Sequence, residues 1–172
     1  HRKILEDPIA QINVLNEEKF LIYNLLNGLI LSMKDYIEKN SIKKLFLGLS
    51  GGIDSAVVLF IASKVLSQEK ITAIMMPSEF TSNTSLKDAN KIASNLRVNY
   101  KIIPIQKHIK AFETTFKNDF EGLDKDITEQ NIQARIRGMI LMAYANKFKG
   151  MVLATGNKSE MAVGYSTIYG DM

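Results

Sequence analysis

Residues 47–55 read LGLSGGIDS: three glycines, two serines and one aspartate, set behind the apolar run KKLFLGL and ahead of AVVLFIASKVL. The first run predicts a buried strand ending near Leu49, and the second predicts a helix starting near Asp54 or Ser55. Such a turn presents the unpaired amides of a helix N-terminus. Gly48, Gly51 and Gly52 let its backbone curl around an anion with no side chain in the way. A phosphate is the natural guest, with Ser50 and Ser55 as hydroxyl donors. Asp54 would repel it unless a cation lay between them, which points to magnesium held by one or two carboxylates and by the phosphates themselves. A lone glycine pair would mean a tight turn with an aspartate capping the next helix; the whole string behind a strand means more. The GxxxxGK[ST] loop of kinase-type chemistry is absent, as is the GxGxxG spacing of dinucleotide-binding turns.

Outward from that turn, apolar runs at residues 44–49, 71–76, 100–105 and 151–154 read as strands, and segments 55–66, 85–96 and 129–148 read as helices. Strand and helix in strict alternation predict an α/β fold, a doubly wound parallel sheet with helices on both faces. Ahead of the sheet, Phe20, Ile22, Leu25, Leu26, Leu29, Ile30, Met33 and Ile37 recur at helical spacing between Asn16, a capping residue, and Asn40. The preceding DPIAQINVL carries a proline and little period. Residues 1–15 are therefore expected to be a linker or N-terminal extension, and residues 16–172 the domain. Residues 118–126, with Gly122 and four acids, read as a surface loop.

The 172 residues suffice for one domain with a proper core. A formal net charge of +4 suits anionic small molecules and falls short of the basic stripe of a nucleic-acid binder. Without cysteine the chain has no disulfide, thiolate metal site or cysteine nucleophile. No apolar run approaches the roughly 20 residues of a membrane span, and HRKILEDP lacks the apolar core of a signal peptide. The expectation is a cytoplasmic protein with no nucleic-acid or membrane partner. A start at His1 and a close on YGDM suggest a piece of a longer product, incomplete at its C-terminus.

Parallel sheets bind ligands outside the carboxyl ends of their strands. The fourth run leads into LATGNKSEMAVGYSTIYGDM, so Thr155, Gly156, Asn157, Lys158, Ser159 and Glu160 form a second turn able to face the first. Glu160 is either a second carboxylate for the ion at Asp54 or a solvated acid in the first turn of a helix, where it favours the dipole. In the long helix TEQNIQARIRGMILMAYANKF, the expected buried face is Ile132, Ile136, Met139, Ile140 and Ala143. Asn131 and Arg135 lie four apart on a polar stripe, and Arg137 points away from them. Arg135 is the arginine expected to serve a ligand.

SGGIDS resembles the signature loop of ATP pyrophosphatases, a group that includes NAD synthetases, GMP synthetases, asparagine synthetases and tRNA-modifying enzymes. NIQARIRG, LATGNKSE and GYSTIYGDM, in that order behind LGLSGGIDS, narrow the likeness. From about its first helix onward the chain resembles the synthetase domain of the NAD synthetase family. The resemblance implies an adenine nucleotide alpha hydrolase-like fold and a ligase joining deamido-NAD, ATP and ammonia to give NAD, AMP and pyrophosphate. It implies that Gly48, Leu49, Ser50, Gly51, Gly52, Ile53, Asp54 and Ser55 line the ATP phosphates, that Thr155 contacts ATP, and that adenosine lies near Met76. Asp54 would hold Mg2+, and Glu160 the metal or deamido-NAD. Asn131 or Arg135, with Tyr165, Ser166, Thr167 and Ile168, would contact deamido-NAD. Ser50, Asp54, Ser55 and Lys158 are the implied catalytic groups, supplying charge and position. No Ser/His/Asp set is required, and His108, in an expected surface helix, has no role.

The ending STIYGDM is more similar to the glutamine-dependent kind of the family, which typically has leucine where Ile168 stands, than to the ammonia-only kind with TKYGDG-like endings. In the former an upstream nitrilase-like glutaminase domain releases ammonia at a cysteine. The family's members are dimers, or larger homo-oligomers, with deamido-NAD near the subunit interface. The first helix is apolar enough to serve there, unless its stripe only covers the sheet. They also continue beyond GDM with further ATP-contacting residues. The rival readings are another ATP pyrophosphatase, such as a GMP synthetase or a tRNA-modifying enzyme, and a regulatory ATP-binding module without turnover.

Overall fold

The computed structural model describes residues 8–170, with side chains from residue 17 onward. Expectations that fall on residues 1–7, Asp171 and Met172 lie outside the described residues. Four strands, β1 (Leu45–Gly48), β2 (Ile71–Met75), β3 (Asn99–Ile102) and β4 (Met151–Leu153), form one parallel sheet in the order β3-β2-β1-β4. Parallel neighbours cannot be joined by hairpins, so each connection crosses over through a helix. After α1 (Pro8–Lys39), α2 (Ile53–Val65) links β1 to β2 and α3 (Asn83–Leu96) links β2 to β3. Then α4 (Gln106–Thr115) and α5 (Ile127–Phe148) carry the chain back to β4 on the far side of β1, and α6 (Lys158–Ala162) follows.

Alternation along the central strands separates two cores. Leu45, Leu47, Leu49, Ile71, Ala73 and Met75 pack against Ile37 of α1, Leu59 and Ala62 of α2, and Ala89 and Ala93 of α3. On the opposite face Phe46, Ile74 and Met76 meet Ile105, Ile109 of α4, and Ile136 and Ala145 of α5. The sheet is therefore covered on both faces, as the doubly wound α/β pattern requires.

Several boundaries differ from the sequence expectations for physical reasons. The helix expected from Asn16 begins at Pro8. Proline is tolerated at a first helical position because its missing N–H would be unpaired there in any case. Of the expected α1 stripe only Ile37 is buried, while Phe20, Ile22, Leu25 and Leu29 are exposed, so the outer part of α1 does not cover the sheet. The third strand ends at Ile102 rather than at residue 105, because Pro104 has no N–H for the ladder. Ile103 and Ile105 still donate to the carbonyls of Met75 and Pro77. On α5, Met139 and Ala143 are exposed, and the core contacts come instead from Ile132, Ile136, Ile140, Leu141, Tyr144 and Ala145. Met139 and Ala143 each stand one position away from that stripe and rotate out of it. The long helix also starts earlier than residue 129: Asp126 accepts from Thr128 and closes a capping box with Glu129. No helix among the described residues is long and apolar enough to cross a membrane.

Leu47 is fully buried in a strand paired on both sides. Leu47→Ala should lower the unfolding free energy by about 2–5 kcal/mol, read from the urea midpoint at unchanged slope.

Candidate functional site

From β1 the chain runs to β2 on one side, while β4 returns on the other. The carboxyl ends of β1 and β4 therefore flank the point where strand order reverses, and the turns leaving them diverge around a crevice. A cleft of about 930 Å³ opens at this end of the sheet. Its walls are Gly48, Leu49 and Ser50 at the end of β1, Met75 and Met76 at the end of β2, Ala154 and Thr155 after β4, Ser82 and Ser85 at the start of α3, Arg135, Arg137 and Gly138 on α5, and Tyr169 and Gly170.

The β1 turn is held by its own small side chains. Gly52 N donates to Ser50 Oγ at 3.2 Å, Ser55 Oγ donates to the Gly52 carbonyl at 3.0 Å, and the two hydroxyl oxygens lie 3.2 Å apart. Ser55 is buried, so its hydroxyl locks the turn, whereas Ser50 is exposed along the cleft. Gly51 has φ +85°, and a Cβ there would stand 2.5 Å from the Ser85 carbonyl oxygen. Only glycine meets both conditions. Gly52 caps α2 with no side-chain hydrogen bond, which leaves the first amides of α2 turned outward with Asp54 in the same turn. Leu49 is buried, so any ligand meets its backbone, and the Ile53 side chain is exposed.

The β4 turn lies across from it. Asn157 accepts from the Glu160 amide at 2.9 Å through its side chain, and its own amide donates to Glu160 Oε2 at 2.9 Å, forming the capping box of α6. The Asn157 side-chain amide also reaches Asp54 Oδ1 at 3.4 Å. One asparagine thus joins the two carboxylates expected to act together, although neither lines the cleft wall. Among the described residues there is no cluster of three or more His, Asp or Glu able to hold a metal alone. Two carboxylates beside an open helix N-terminus are a hard, incomplete oxygen set. That set fits magnesium, which takes few protein ligands and completes its shell with phosphate and water. Lys158 is exposed at the first position of α6.

The other expected residues divide. Thr155 lines the cleft half-buried, and Met76 lies at its β2 end. Asn131 and Arg135 are engaged by the C-terminal segment: Thr167 Oγ1 donates to Asn131 Oδ1 at 2.9 Å, and Arg135 Nε donates to the Ile168 carbonyl at 3.4 Å. The same helix face lacks a side chain at Gly138, where a Cβ would meet the Gly170 carbonyl oxygen at 2.6 Å. Tyr165 and Ile168 are exposed, and Ser166 and Thr167 are half-buried.

Two residues escaped the sequence reading as site members. Asn157 was legible as part of a turn, and the N-x-x-E spacing of a capping box could have singled it out. Arg137, set aside in favour of Arg135, lines the cleft half-buried with its Nε 3.3 Å from the Met76 carbonyl. Burial pushes its pKa down.

A family model described as NAD synthase matches residues 25–172. The glutamine-dependent NAD(+) synthetase of Thermotoga maritima is 46% identical over 167 residues, 97% of this chain and 28% of that protein. The solved glutamine-dependent NAD+ synthetase from Acinetobacter baumannii, in complex with ADP, superposes with a TM-score of 0.83 at 45% identity, over 86% of this chain and 28% of that one. The NH3-dependent NAD synthetase from Campylobacter jejuni, in complex with the nitrate ion, has a TM-score of 0.78 at 32% identity, over 87% of this chain and 62% of that one. The fold is the expected adenine nucleotide alpha hydrolase-like one. The chain spans little more than a quarter of the length of its glutamine-dependent relatives.

Gly51→Ala combines a left-handed backbone with a clash against the Ser85 carbonyl. It should destabilise the fold by about 1–3 kcal/mol by denaturant titration and speed amide exchange in the β1 turn.

Proposed function

Because this chain belongs to the NAD synthase family, we propose that it is the synthetase domain of a glutamine-dependent NAD synthetase, which amidates deamido-NAD to NAD at the expense of ATP. The observation that carries this reading is the Asn157 amide reaching Asp54, which joins the two ligand-facing turns at the reversal of strand order.

Two steps follow from the chemistry. An oxygen of the deamido-NAD carboxylate bonds to the α-phosphorus of ATP as the bond to pyrophosphate breaks. Ammonia then bonds to the activated carbonyl carbon, loses a proton, and AMP leaves. The first barrier is the approach of two anions, so positioning and charge compensation account for most of the catalysis. The amides at the start of α2, with Ser50, hold the departing pyrophosphate, and Lys158 is placed at the edge of the same turn pair to offset its charge. Ser55 keeps the turn closed. Asp54 and Glu160 would hold magnesium, whose charge when bound offsets that of the phosphates. Thr155 and Met76 line the nucleotide's part of the cleft. Asn131, Arg135 and residues 165–168 form the deamido-NAD side. The mixed anhydride is reactive enough to need no strong base, which suits a chain whose His108 is exposed on α4.

The nitrogen donor is glutamine, through ammonia from a glutaminase domain outside this chain. Support comes from the likeness to glutamine-dependent relatives much longer than the chain. The exposed apolar residues of α1, Phe20, Leu21, Ile22, Leu25 and Leu29 among them, support a homodimer through that helix. The site is cytoplasmic on this reading.

The test is the complete gene product with ATP, magnesium and deamido-NAD, supplied with glutamine or ammonium. NAD and pyrophosphate from both donors are expected. NAD from ammonium alone would remove the glutaminase, and pyrophosphate only with a different acceptor, such as xanthosine monophosphate, would assign the domain to another ATP pyrophosphatase. Asp54→Ala should reduce pyrophosphate release by about a thousandfold or more at unchanged melting temperature, since an exposed carboxylate adds little to stability. Release within tenfold of the parent would strip Asp54 of the metal.

A further inference from the structure

Arg137 is half-buried on the cleft wall, with guanidinium nitrogens that stay open to the cleft. Apart from the Met76 carbonyl it makes no hydrogen bond and no ion pair among the described residues. A guanidinium stays protonated and carries five N–H donors, and four of Arg137's are left unused by that single bond. Desolvation is what depresses its pKa, and no acid among the described residues offsets it. Holding a strand-end carbonyl requires a donor and no charge, and a neutral amide would do so without the cost of withdrawing a cation from water. The charge therefore finds its use in an anion within the cleft.

Position narrows which anion. Across the cleft floor the strands follow in the order β4, β1, β2. The open amides of α2 follow β1, and Arg137 is pinned one strand further on, at the carboxyl end of β2. Between the two lies Gly48, whose missing side chain leaves room beside the Met76 methyl and Leu141, one turn along α5 from Arg137. A nucleotide with its pyrophosphate end at the β1 turn and its nucleoside toward Met76 brings its α-phosphate past that guanidinium. Arg135 is not equivalent, being exposed and bonded to the Ile168 carbonyl.

We infer that Arg137 binds the α-phosphoryl group of the nucleotide and compensates the charge that gathers there as the acceptor carboxylate attacks. It transfers no proton: one P–O bond forms, one breaks, and the guanidinium remains a cation throughout. The inference rests on the nucleotide lying in this cleft, as proposed above, and is independent of which acceptor is used.

The discriminating measurement is calorimetry on the complete protein with AMP and adenosine, which differ only in that phosphate. The parent should bind AMP about tenfold or more tightly than adenosine. Arg137→Gln, which keeps a donor for Met76, should bind adenosine as the parent does and lose most of the AMP advantage; Arg137→Lys should keep part of it. An AMP advantage that survives in Arg137→Gln, or equal losses for both ligands, would make Arg137 a clamp on β2 only. If the glutamine variant does not fold, the parent decides, because AMP bound no better than adenosine would overturn the inference. Failure of the NAD assay with an intact AMP advantage would instead fault the choice of acceptor.

Discussion

A strand that is hydrogen-bonded on both sides and packed on both faces has only its ends free, and β1 shares that position with β2. Its neighbours β2 and β4 fix its register, and Leu45 and Leu47 anchor it to one core while Phe46 enters the other. The turn that follows must leave between them, beside the start of α3. That crowding explains why so small a sequence stands between two apolar segments: at Gly51 the Ser85 carbonyl occupies the space a side chain would need. The same smallness leaves the first amides of α2 uncovered, so one steric constraint yields both the tight turn and an open helix N-terminus of the kind that suits an anion.

Features carried by periodicity were legible in the sequence. The four strands, the helices between them and the two facing turns stand where apolar runs and glycines indicated; in β1 and β2 burial on both faces writes itself as short unbroken apolar runs, whereas the edge strand β3 is mostly exposed. What could not be read depends on partners distant in the chain. The link between Asp54 and Asn157 crosses 103 positions, and the hold of Arg137 on Met76 crosses 61. A helical wheel correctly separates Arg137 from Arg135 but does not reveal that the cleft wraps far enough around α5 to touch both. The early end of β3 was visible in Pro104 and outweighed by its apolar neighbours, and the slip at Met139 and Ala143 came from extending one stripe straight along a helix whose buried face turns.

The C-terminal segment shows how a polar stripe can serve structure before any ligand arrives. Asn131 and Arg135 receive Thr167 and the Ile168 backbone, and Gly138 lets the Gly170 backbone come close. Residues assigned by resemblance to a substrate thus already shape the wall against which that substrate would lie. This division of labour suits a site assembled from separate parts of the chain, since the side chains that orient the tail also border the cleft.

The capping box of α6 makes one carboxylate answer to two claims. With five residues the helix is too short to sustain itself by propagation and relies on the reciprocal bonds between Asn157 and Glu160. Whatever draws Glu160 away from that amide forfeits a cap of about 1 kcal/mol. If Glu160 holds the proposed cation with the same oxygen that caps α6, the ion's occupancy and the winding of that first turn become linked equilibria.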